Sequence, residues 1–290
     1  MKKRYNGWIF LFILPTLLIF LAIYAVPLGM VGVTSLFEYR IFPNRFTFIG
    51  MDNYVRLFQD AAFLTALKNN LIWILIHCTL HVGLGTVLAL ILYKKPFGWK
   101  FTRTAYMIPS IISNAAVAMI FLNIYNPSYG VINSALKLWG LGSRARNWLY
   151  FGGTSFPSVT AIWTLFSGYN TTLILAQALS LDKSLLEAAR VDGASNFKVD
   201  MLIVLPLVKG MLATTMIMAS TYMLQMFDLI YLTTNGGPGV TTTNLPLLLY
   251  KTAMTENNYG YANAIGVCII LLGLLCMAVI NRALKTNEEG

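Results

Sequence analysis

Six long apolar runs dominate the sequence, and they constrain its fold more than any other feature. The runs lie at about residues 8–36, 67–93, 104–125, 156–179, 210–232 and 259–283. A helix needs about 20 apolar residues to cross the hydrocarbon core of a lipid bilayer, and each run is long enough. The sequence therefore predicts an all-α integral membrane protein with six transmembrane helices, in which residues 1–290 form one transmembrane domain.

Composition supports membrane insertion and argues against a soluble domain. Hydrophobic residues make up 57% of the chain and charged residues only 11%, whereas a soluble domain carries about 25% charged residues. The net charge of +10 does not indicate binding to nucleic acid, because the basic residues are spread over the ends of the apolar runs and form no block.

The distribution of basic residues predicts the orientation. The first run is longer than the ~7–15 apolar residues of a signal peptide, so we interpret it as an uncleaved helix. Six spans place both termini on one side of the membrane. With cytoplasmic termini, that side carries thirteen of the 21 basic residues: Lys2, Lys3, Arg4, Lys94, Lys95, Lys100, Arg103, Lys183, Arg190, Lys198, Lys209, Arg282 and Lys285. The positive-inside rule favours this arrangement.

The connection at residues 182–206, between the fourth and fifth runs, has an ordered polar pattern. Asp182 is placed to cap a helix over Lys183–Val191, Gly193 to provide a left-handed exit, and Ser195 to cap a second helix that leads towards Pro206. The alternative is an ordinary solvated loop whose Ser184 and Glu187 form a capping box.

Three short motifs occur along this connection: Glu187-Ala188-Ala189, Asp192-Gly193-Ala194 and Leu205-Pro206. With these residues the connection resembles the EAA loop of permease subunits in ATP-binding-cassette (ABC) importers. Many relatives have isoleucine-proline where this chain has Leu181-Asp182, and aspartate can cap the same helix start. Three further stretches resemble the carbohydrate-uptake branch of these permeases: Phe48–Asn70, Asn126–Leu136 and Tyr231–Met254.

The resemblance implies a type I ABC importer permease fold with a cytoplasmic EAA coupling helix that docks in a groove of the ATPase. It assigns that contact to six residues: Glu187, Ala188, Ala189, Asp192, Gly193 and Ala194. The implied partners are a second permease subunit, two cytoplasmic ATP-binding subunits and an extracytoplasmic solute-binding protein. ATP and Mg are expected on the partner ATPase, with no cofactor in this chain. The implied location is the inner membrane of a bacterial or archaeal cell.

The sequence offers no pattern for a catalytic, nucleotide or metal site. No Lys-Ser or Lys-Thr follows the glycine spacing of a phosphate-binding loop, and Asn235–Gly239 is typical of a turn. His77 and His81 lie four residues apart, but no nearby carboxylate completes a zinc site, so we interpret them as packing or polar helix contacts. With no Ser-His-Asp or Cys-His set in a soluble pocket, we expect a transport subunit and not an enzyme.

Polar and aromatic residues on the fourth and fifth runs predict the substrate path, because polar side chains inside a membrane tend to mark pathways. The candidates are Trp163, Tyr169, Asn170, Tyr222, Gln225 and Asp228. The resemblance implies that Tyr169 matches an aromatic substrate contact of related sugar permeases and that Gln225 matches an amide contact. The alternatives are interfacial aromatic belts, hydrogen bonds between helices and, for Asp228, snorkelling to water.

The resemblance implies a permease that carries a sugar or oligosaccharide by alternating access, driven by a separate ATPase. One alternative keeps the ABC importer but changes the cargo to glycerol phosphate or another polyol derivative, which would favour arginine or lysine in the cavity. A self-contained secondary transporter is a second alternative, and it would call for an ionisable relay or an inverted repeat within the spans.

Overall fold

The computed structural model describes residues 2–164 and 166–284, and Lys285, counted above among the basic residues, lies outside them. In chain order the helices are α1 (Lys2–Phe20), α2 (Val26–Thr34), α3 (Asp52–Gln59), α4 (Ala61–Ile76), α5 (Val82–Leu92), α6 (Trp99–Ile111), α7 (Asn114–Ile124), α8 (Val131–Leu138), α9 (Ser155–Thr164), α10 (Gly168–Leu179), α11 (Lys183–Val191), α12 (Asn196–Val199), α13 (Leu205–Leu207), α14 (Lys209–Gln225), α15 (Asp228–Thr233), α16 (Leu245–Tyr250) and α17 (Tyr259–Leu284). Strands β1 (Phe37–Arg40) and β2 (Arg45–Phe48) pair antiparallel.

Short π-helical segments interrupt or extend several helices. They are Leu21–Ala25, His77–His81, Asp200–Val204 and Lys251–Thr255, and a 3₁₀ turn spans Gly142–Arg144. A π segment inside an α-helix is rare and is frequently found at functional sites. The chain divides into two compact units, one with the residues up to 64 and residues 248–270, the other with residues 65–247 and those from 271 onward.

The first unit begins with a long apolar helix that exposes most of its surface. Residues Ile9–Thr34 run on as one helix through the π segment, and none of its most apolar window is buried. An apolar surface of this length fits a lipid environment, because the helix satisfies its backbone hydrogen bonds internally and its outer surface is mostly hydrocarbon. This helix coincides with the first predicted span.

Buried polar contacts hold the rest of the first unit together. The Asn53 amide, on α3, donates to the backbone carbonyl of Phe37 at 3.0 Å, which fastens the helix to the hairpin of β1 and β2. The Tyr261 hydroxyl, on α17, donates to the Asp60 carboxylate at 2.7 Å, and the Arg56 guanidinium lies 4.6 Å from the centre of the Tyr261 ring. These bonds fix the short elements around the start of α17.

In the second unit α5 packs closely on α10. A Cβ added at Gly85 would lie 3.2 Å from both the Asn170 Cβ and the backbone nitrogen of Thr171, so glycine permits the close approach of the two helices. The C-terminal halves of α5 and α10 share a core with the segments that follow α10. This core is formed by Ala89, Leu90, Leu92, Tyr93, Ile174, Leu175, Ala178, Leu186, Val199, Val204 and Val208.

The helices match the six predicted runs with different degrees of continuity. Three single helices are long and apolar enough to cross a membrane, Ile9–Thr34, Ala61–Leu92 and Tyr259–Leu284. Two bent pairs would raise that number to five among the described residues, α6 with α7 at 95° and residues 196–207 with α14 at 67°. The run at 156–179 is shared between α9 and α10, and the run at 210–232 between α14 and α15. The count of six spans and the single-domain description stay predictions.

The Asn235–Gly239 stretch forms the turn that its composition predicts. Gly236 and Gly239 have φ angles of +84° and +59°, which glycine adopts without steric cost. The Asn69 amide, on α4, donates to the backbone carbonyl of Thr243 at 2.8 Å. This hydrogen bond fixes the loop against α4 of the second unit.

Candidate functional site

A cavity of about 490 Å³ lies inside the second unit, within the size range of ~300–1,000 Å³ that is usual for ligand pockets. It is lined by His77, His81, Pro109, Ser110, Ile112, Asn114, Val117, Trp163, Phe166, Tyr169, Asn170, Ile217, Met218, Ala219, Thr221, Tyr222, Gln225 and Leu229. All of these residues belong to residues 65–247.

The cavity lies where four of the helical runs lose their regular form. One wall is the π segment His77–His81, and a second is the 95° bend between α6 and α7. The third wall lies at the break between α9 and α10. The fourth is the second half of α14, up to its end at Gln225, together with Leu229 of α15. Irregular backbone is tolerated at membrane depth only where it is buried in protein or lines a cavity, and transporters place binding sites at discontinuous helices.

Close backbone packing holds the gap between α9 and α10 in place. Gly168, the first residue of α10, approaches α6 so closely that a Cβ at this position would overlap the backbone of Tyr106 and Met107. The glycine therefore lets α10 begin against α6, next to the residues that face the cavity.

Five of the six predicted substrate-path residues line this cavity. They are Trp163, Tyr169, Asn170, Tyr222 and Gln225. Trp163 and Asn170 are buried, whereas Tyr169 and Gln225 are exposed. The Tyr222 hydroxyl donates to the Asn114 side-chain oxygen at 2.8 Å, which connects α14 to the start of α7.

Asp228 does not line the cavity with the other five. The structure ends α14 at Gln225 and begins α15 at Asp228, so the carboxylate lies in the first turn of a new helix, where the helix dipole favours a negative charge. Its side chain is not covered by the described parts of the protein. The role of Asp228 in the substrate path stays a prediction without geometric support.

The sequence interpretation of the histidines as packing residues left out their position in the cavity wall. His77 and His81 line the cavity, with ring centres 4.0 Å apart and planes at 81°. His81 Nδ1 lies 3.0 Å from the Thr164 carbonyl, and because a carbonyl oxygen only accepts, this nitrogen carries the proton and donates. Spacing alone could not reveal the cavity, since its other walls come from different helices, which tertiary packing brings together.

The lining combines aromatic faces with uncharged hydrogen-bonding groups. None of the lining residues that the structure describes is an aspartate, glutamate, lysine or arginine. Amides and hydroxyls exchange hydrogen bonds with ligand hydroxyl groups, and aromatic rings provide flat apolar surfaces. Such a cavity suits an uncharged ligand with many hydroxyl groups, because its described lining offers no lysine or arginine to balance a phosphate or a carboxylate.

A second candidate site is the surface of α11. Asp182 is its N-cap, and the Asp182 carboxylate accepts from the Ser184 backbone amide at 2.9 Å. This hydrogen bond holds the pKa of the Asp182 carboxyl below its usual value. Ser195 caps the following helix by accepting from the Lys198 backbone amide at 3.3 Å. The local structure that the sequence predicts for this loop is therefore confirmed.

The exit from α11 is a Schellman motif built on glycine. Gly193 has a φ of +82°, its amide donates to the Arg190 carbonyl at 3.0 Å, and the Ala194 amide donates to the Ala189 carbonyl at 3.0 Å. These two bonds satisfy carbonyl groups that a helix end otherwise leaves unpaired. The chain consequently turns away sharply after one short helix.

One face of α11 is anchored and the other is open. Leu186 is buried in the core shared by α5 and α10, and Ala189 and Ala194 pack partly against the same core. Glu187, Ala188, Asp192 and Gly193 are exposed. The six predicted coupling residues are thus divided between a surface that a partner can reach and an edge that fastens the helix to the rest of this unit.

A buried ion pair that the sequence interpretation did not predict fixes the end of this loop. The Asp200 carboxylate accepts hydrogen bonds from the Tyr93 hydroxyl and the Lys94 ammonium. Asp200 is buried, and the two donors follow directly after α5. The only sequence signal was an acid among apolar residues, and its partners lie more than 100 positions away.

The α5 and α10 pair connects the loop to the cavity. At one end the two helices hold α11 and Asp200 through the shared core and the ion pair. At the other end, α5 begins just after His81 and α10 carries Tyr169 and Asn170, all of which line the cavity. A displacement of the loop can therefore be transmitted to the cavity wall through the packed side chains of α5 and α10.

Comparison with known proteins identifies relatives over nearly the whole chain. Residues 81–286 match the family model described as binding-protein-dependent transport system inner membrane component. The chain is 34% identical to the probable ABC transporter permease protein YurN of Bacillus subtilis, over 97% of each chain. It is 30% identical to the multiple sugar-binding transport system permease protein MsmF of Streptococcus mutans, over 98% of this chain and 97% of that one.

The fold is similar to that of a solved transporter chain. The match is to a chain in the crystal structure of a bacterial alginate ABC transporter in complex with an alginate pentasaccharide-bound periplasmic protein. The TM-score is 0.85 and the sequence identity 23%, and the match covers 99% of this chain and 97% of the other. At that identity the likeness concerns the fold alone.

Proposed function

Because this chain belongs to the family of binding-protein-dependent transport system inner membrane components, we propose that its cavity carries an uncharged sugar or oligosaccharide across the membrane. The chain is a permease subunit of an ABC importer of the carbohydrate-uptake branch. The observation that carries the proposal is the cavity at the broken helices, whose described lining combines aromatic, amide and hydroxyl side chains with apolar ones and has no acidic residue, lysine or arginine.

The chemistry of the cavity favours a neutral cargo over the phosphorylated alternative. Glycerol phosphate or another anionic polyol would have to leave water for a wall that offers only neutral groups among its described residues, and burying an unpaired charge is costly. A neutral sugar exchanges its water hydrogen bonds for those of Asn170, Gln225 and Tyr169. Family membership also disfavours a self-contained secondary transporter, because the family takes substrate from a binding protein.

Energy for transport comes from partner subunits. In this proposal the exposed face of α11 docks in the ATPase, where Glu187 meets a basic residue and Gly193 lets the chain leave the docked helix sharply. ATP and Mg bind to a pair of cytoplasmic ATPase subunits. Closure of these subunits moves α11, and the packed α5 and α10 helices carry the motion to the cavity.

The assembly contains a second permease subunit and an extracytoplasmic solute-binding protein. Both termini and the loop at 182–206 lie in the cytoplasm, which places thirteen of the 21 basic residues on that side in agreement with the positive-inside rule. The loop that contains Asn235–Gly239 then faces the exterior. Its fastening to α4 through Asn69 gives the binding protein a defined surface to meet.

Matched variants of the cavity test the proposed cargo path. Gln225→Ala removes an amide from the cavity lining, and Gln177→Ala removes an amide from α10 outside that lining. Tyr169→Ala has a similar control in Tyr129→Ala, which truncates an exposed tyrosine elsewhere on the second unit. The complete importer is reconstituted in proteoliposomes, and ATP-dependent uptake is measured for maltose, trehalose, lactose and sucrose.

We expect the two cavity variants to reduce uptake of the transported sugar about tenfold or more, which corresponds to the loss of one to two good hydrogen bonds. The controls should transport at the wild-type rate, and basal ATP hydrolysis should be unchanged in all four variants. Uptake that is equal in cavity and control variants would remove these residues from the path. A wild-type importer that takes up only anionic polyols would contradict the proposed cargo.

A further inference from the structure

Two buried nitrogen atoms in the cavity wall have no hydrogen-bond partner among the described residues. They are His77 Nδ1 and Trp163 Nε1. The His77 and Trp163 side chains are 4% and 5% exposed, and both residues line the cavity. Buried polar atoms in native proteins are nearly always paired, so each such exception needs a physical explanation.

The surrounding rings hold His77 in place. Its ring centre lies 4.0 Å from that of His81 and 5.6 Å from that of Tyr222, both at near-perpendicular angles. Each neighbour already directs one polar group elsewhere, since His81 Nδ1 donates to the Thr164 carbonyl and the Tyr222 hydroxyl donates to the Asn114 side-chain oxygen. Neither of them is paired with His77 Nδ1.

Trp163 lies beside His77 on the facing helix. The ring centres are 5.0 Å apart and the planes are inclined by 34°. The two unpartnered nitrogens consequently belong to adjacent rings in the same part of the cavity wall.

The chemistry of the two nitrogens indicates which ligand group fits. The indole nitrogen only donates, whereas an imidazole nitrogen donates or accepts according to its tautomer. A hydroxyl group both donates and accepts, so it satisfies the pair in either tautomer of His77. A carboxylate or phosphate oxygen only accepts, and it would leave an accepting imidazole nitrogen unpaired.

We propose that His77 and Trp163 form a hydroxyl-binding subsite that recognises a hydroxyl, or two adjacent hydroxyls, of the transported sugar. The inference rests on the proposed function and deepens it, because it adds His77 to the substrate path and gives Trp163 a hydrogen bond as its role. A metal ion fits the subsite poorly, since the described residues contain no group of three histidine, cysteine or acidic side chains able to hold one.

Three substitutions separate hydrogen bonding from packing. His77→Phe and Trp163→Phe keep an aromatic ring and remove the nitrogen, and His77→Gln restores a group that donates and accepts. Trp139→Phe is the matched control, because Trp139 is exposed and lies outside the cavity lining. Uptake kinetics are measured with the complete importer in proteoliposomes, using maltose, trehalose, lactose and sucrose and the monodeoxy derivatives of whichever sugar is transported.

We expect His77→Phe and Trp163→Phe each to raise the KM about three- to tenfold, the effect of one lost neutral hydrogen bond. His77→Gln should recover part of this loss, and Trp139→Phe should behave as wild type. One monodeoxy sugar should show the raised KM with the wild-type importer and no further increase with either phenylalanine variant. The double variant should lose less than the product of the two single effects, because both nitrogens serve the same hydroxyl groups.

The outcomes distinguish this inference from the proposed function. Wild-type KM values in both phenylalanine variants, combined with impaired uptake by Gln225→Ala, would overturn the subsite and leave the sugar path intact. An equal response of every deoxy sugar to both variants would also overturn it, since a packing defect does not select one hydroxyl. A wild-type importer that transports none of the sugars would refute the proposed function and the subsite together.

Discussion

The ion pair between Asp200 and Lys94 makes a prediction that can be worked from the structure. The side chain of Asp200 is 10% exposed and that of Lys94 is 34% exposed, while Tyr93, the second donor to Asp200, is buried. Replacing the carboxylate therefore affects its two partners differently. Lys94 can return to water, and the Tyr93 hydroxyl cannot.

Two substitutions at Asp200 separate these contributions. Asp200→Asn removes the charge but keeps an oxygen that accepts from Tyr93, so we expect a loss near the upper end of a solvent-screened ion pair, about 1 kcal/mol. Asp200→Ala also leaves the Tyr93 hydroxyl buried without an acceptor, which adds about 1–3 kcal/mol. The alanine variant should thus lower the free energy of unfolding by about 2–4 kcal/mol.

The assay is equilibrium unfolding of the purified protein in detergent, with Lys94→Met and the double variant Asp200→Asn/Lys94→Met completing a cycle. We expect a coupling energy of about 0.5–1 kcal/mol between the two positions. Asp192→Asn, which removes an exposed acid of the same loop, is the control and should leave stability unchanged. Equal losses for Asp200→Asn and Asp200→Ala, or a coupling energy of zero, would refute this account of the ion pair.

Two further predictions concern the loop and the topology. Glu187→Ala and Gly193→Val should insert normally and lose transport, the first because ATPase docking weakens and the second because a β-branched residue at a φ of +82° is strained by about 1–3 kcal/mol. Gly210→Val, at a helical glycine with open space around it, is the control. Full uptake and full ATPase co-purification in both loop variants would show that the loop is only a connector. With the three native cysteines replaced, Asn196→Cys should react with an impermeant maleimide only from the cytoplasmic side and Val240→Cys only from outside, since both positions are exposed. Labelling of both from one side would contradict the proposed topology.

Local signals account for the parts of the fold that the sequence predicts well. The caps at Asp182 and Ser195 and the glycine exit at Gly193 depend on residues within one or two turns, and the structure has all three. The long apolar helices at Ile9–Thr34 and Tyr259–Leu284 follow equally from composition and length. The first predicted span, at about residues 8–36, agrees with the helix Ile9–Thr34, and predicting it needed no information on tertiary contacts.

Long-range packing decides the features that were not predicted. The gap between α14 and α15 falls at Met226 and Phe227, where no proline or glycine signals a break, so Asp228 was placed inside a span and not at a helix start. The partners of Asp200 and the grouping of His77 with Trp163 and Tyr222 join different helices. Helical periodicity describes one helix at a time and contains no information on such contacts.

The same limit applies to the substrate path. Polar and aromatic residues on two runs were sufficient to name five residues that the structure brings to one cavity. The histidines were left out because a pair four residues apart in an apolar helix has the same appearance whether it faces a neighbouring helix or a cavity. Only the packing of α9 and α14 around the π segment distinguishes the two.

The central claim is that the sugar occupies this cavity, and substrate protection of a cysteine in its wall tests the claim most directly. Thr221 and Thr214 are both exposed threonines on α14 whose hydroxyls donate to the backbone one turn earlier, but only Thr221 lines the cavity. In the assembled importer without native cysteines, the transported sugar should slow maleimide labelling of Thr221→Cys and leave Thr214→Cys unaffected. Labelling of Thr221→Cys that does not respond to sugar, or an equal change at both positions, would contradict the account.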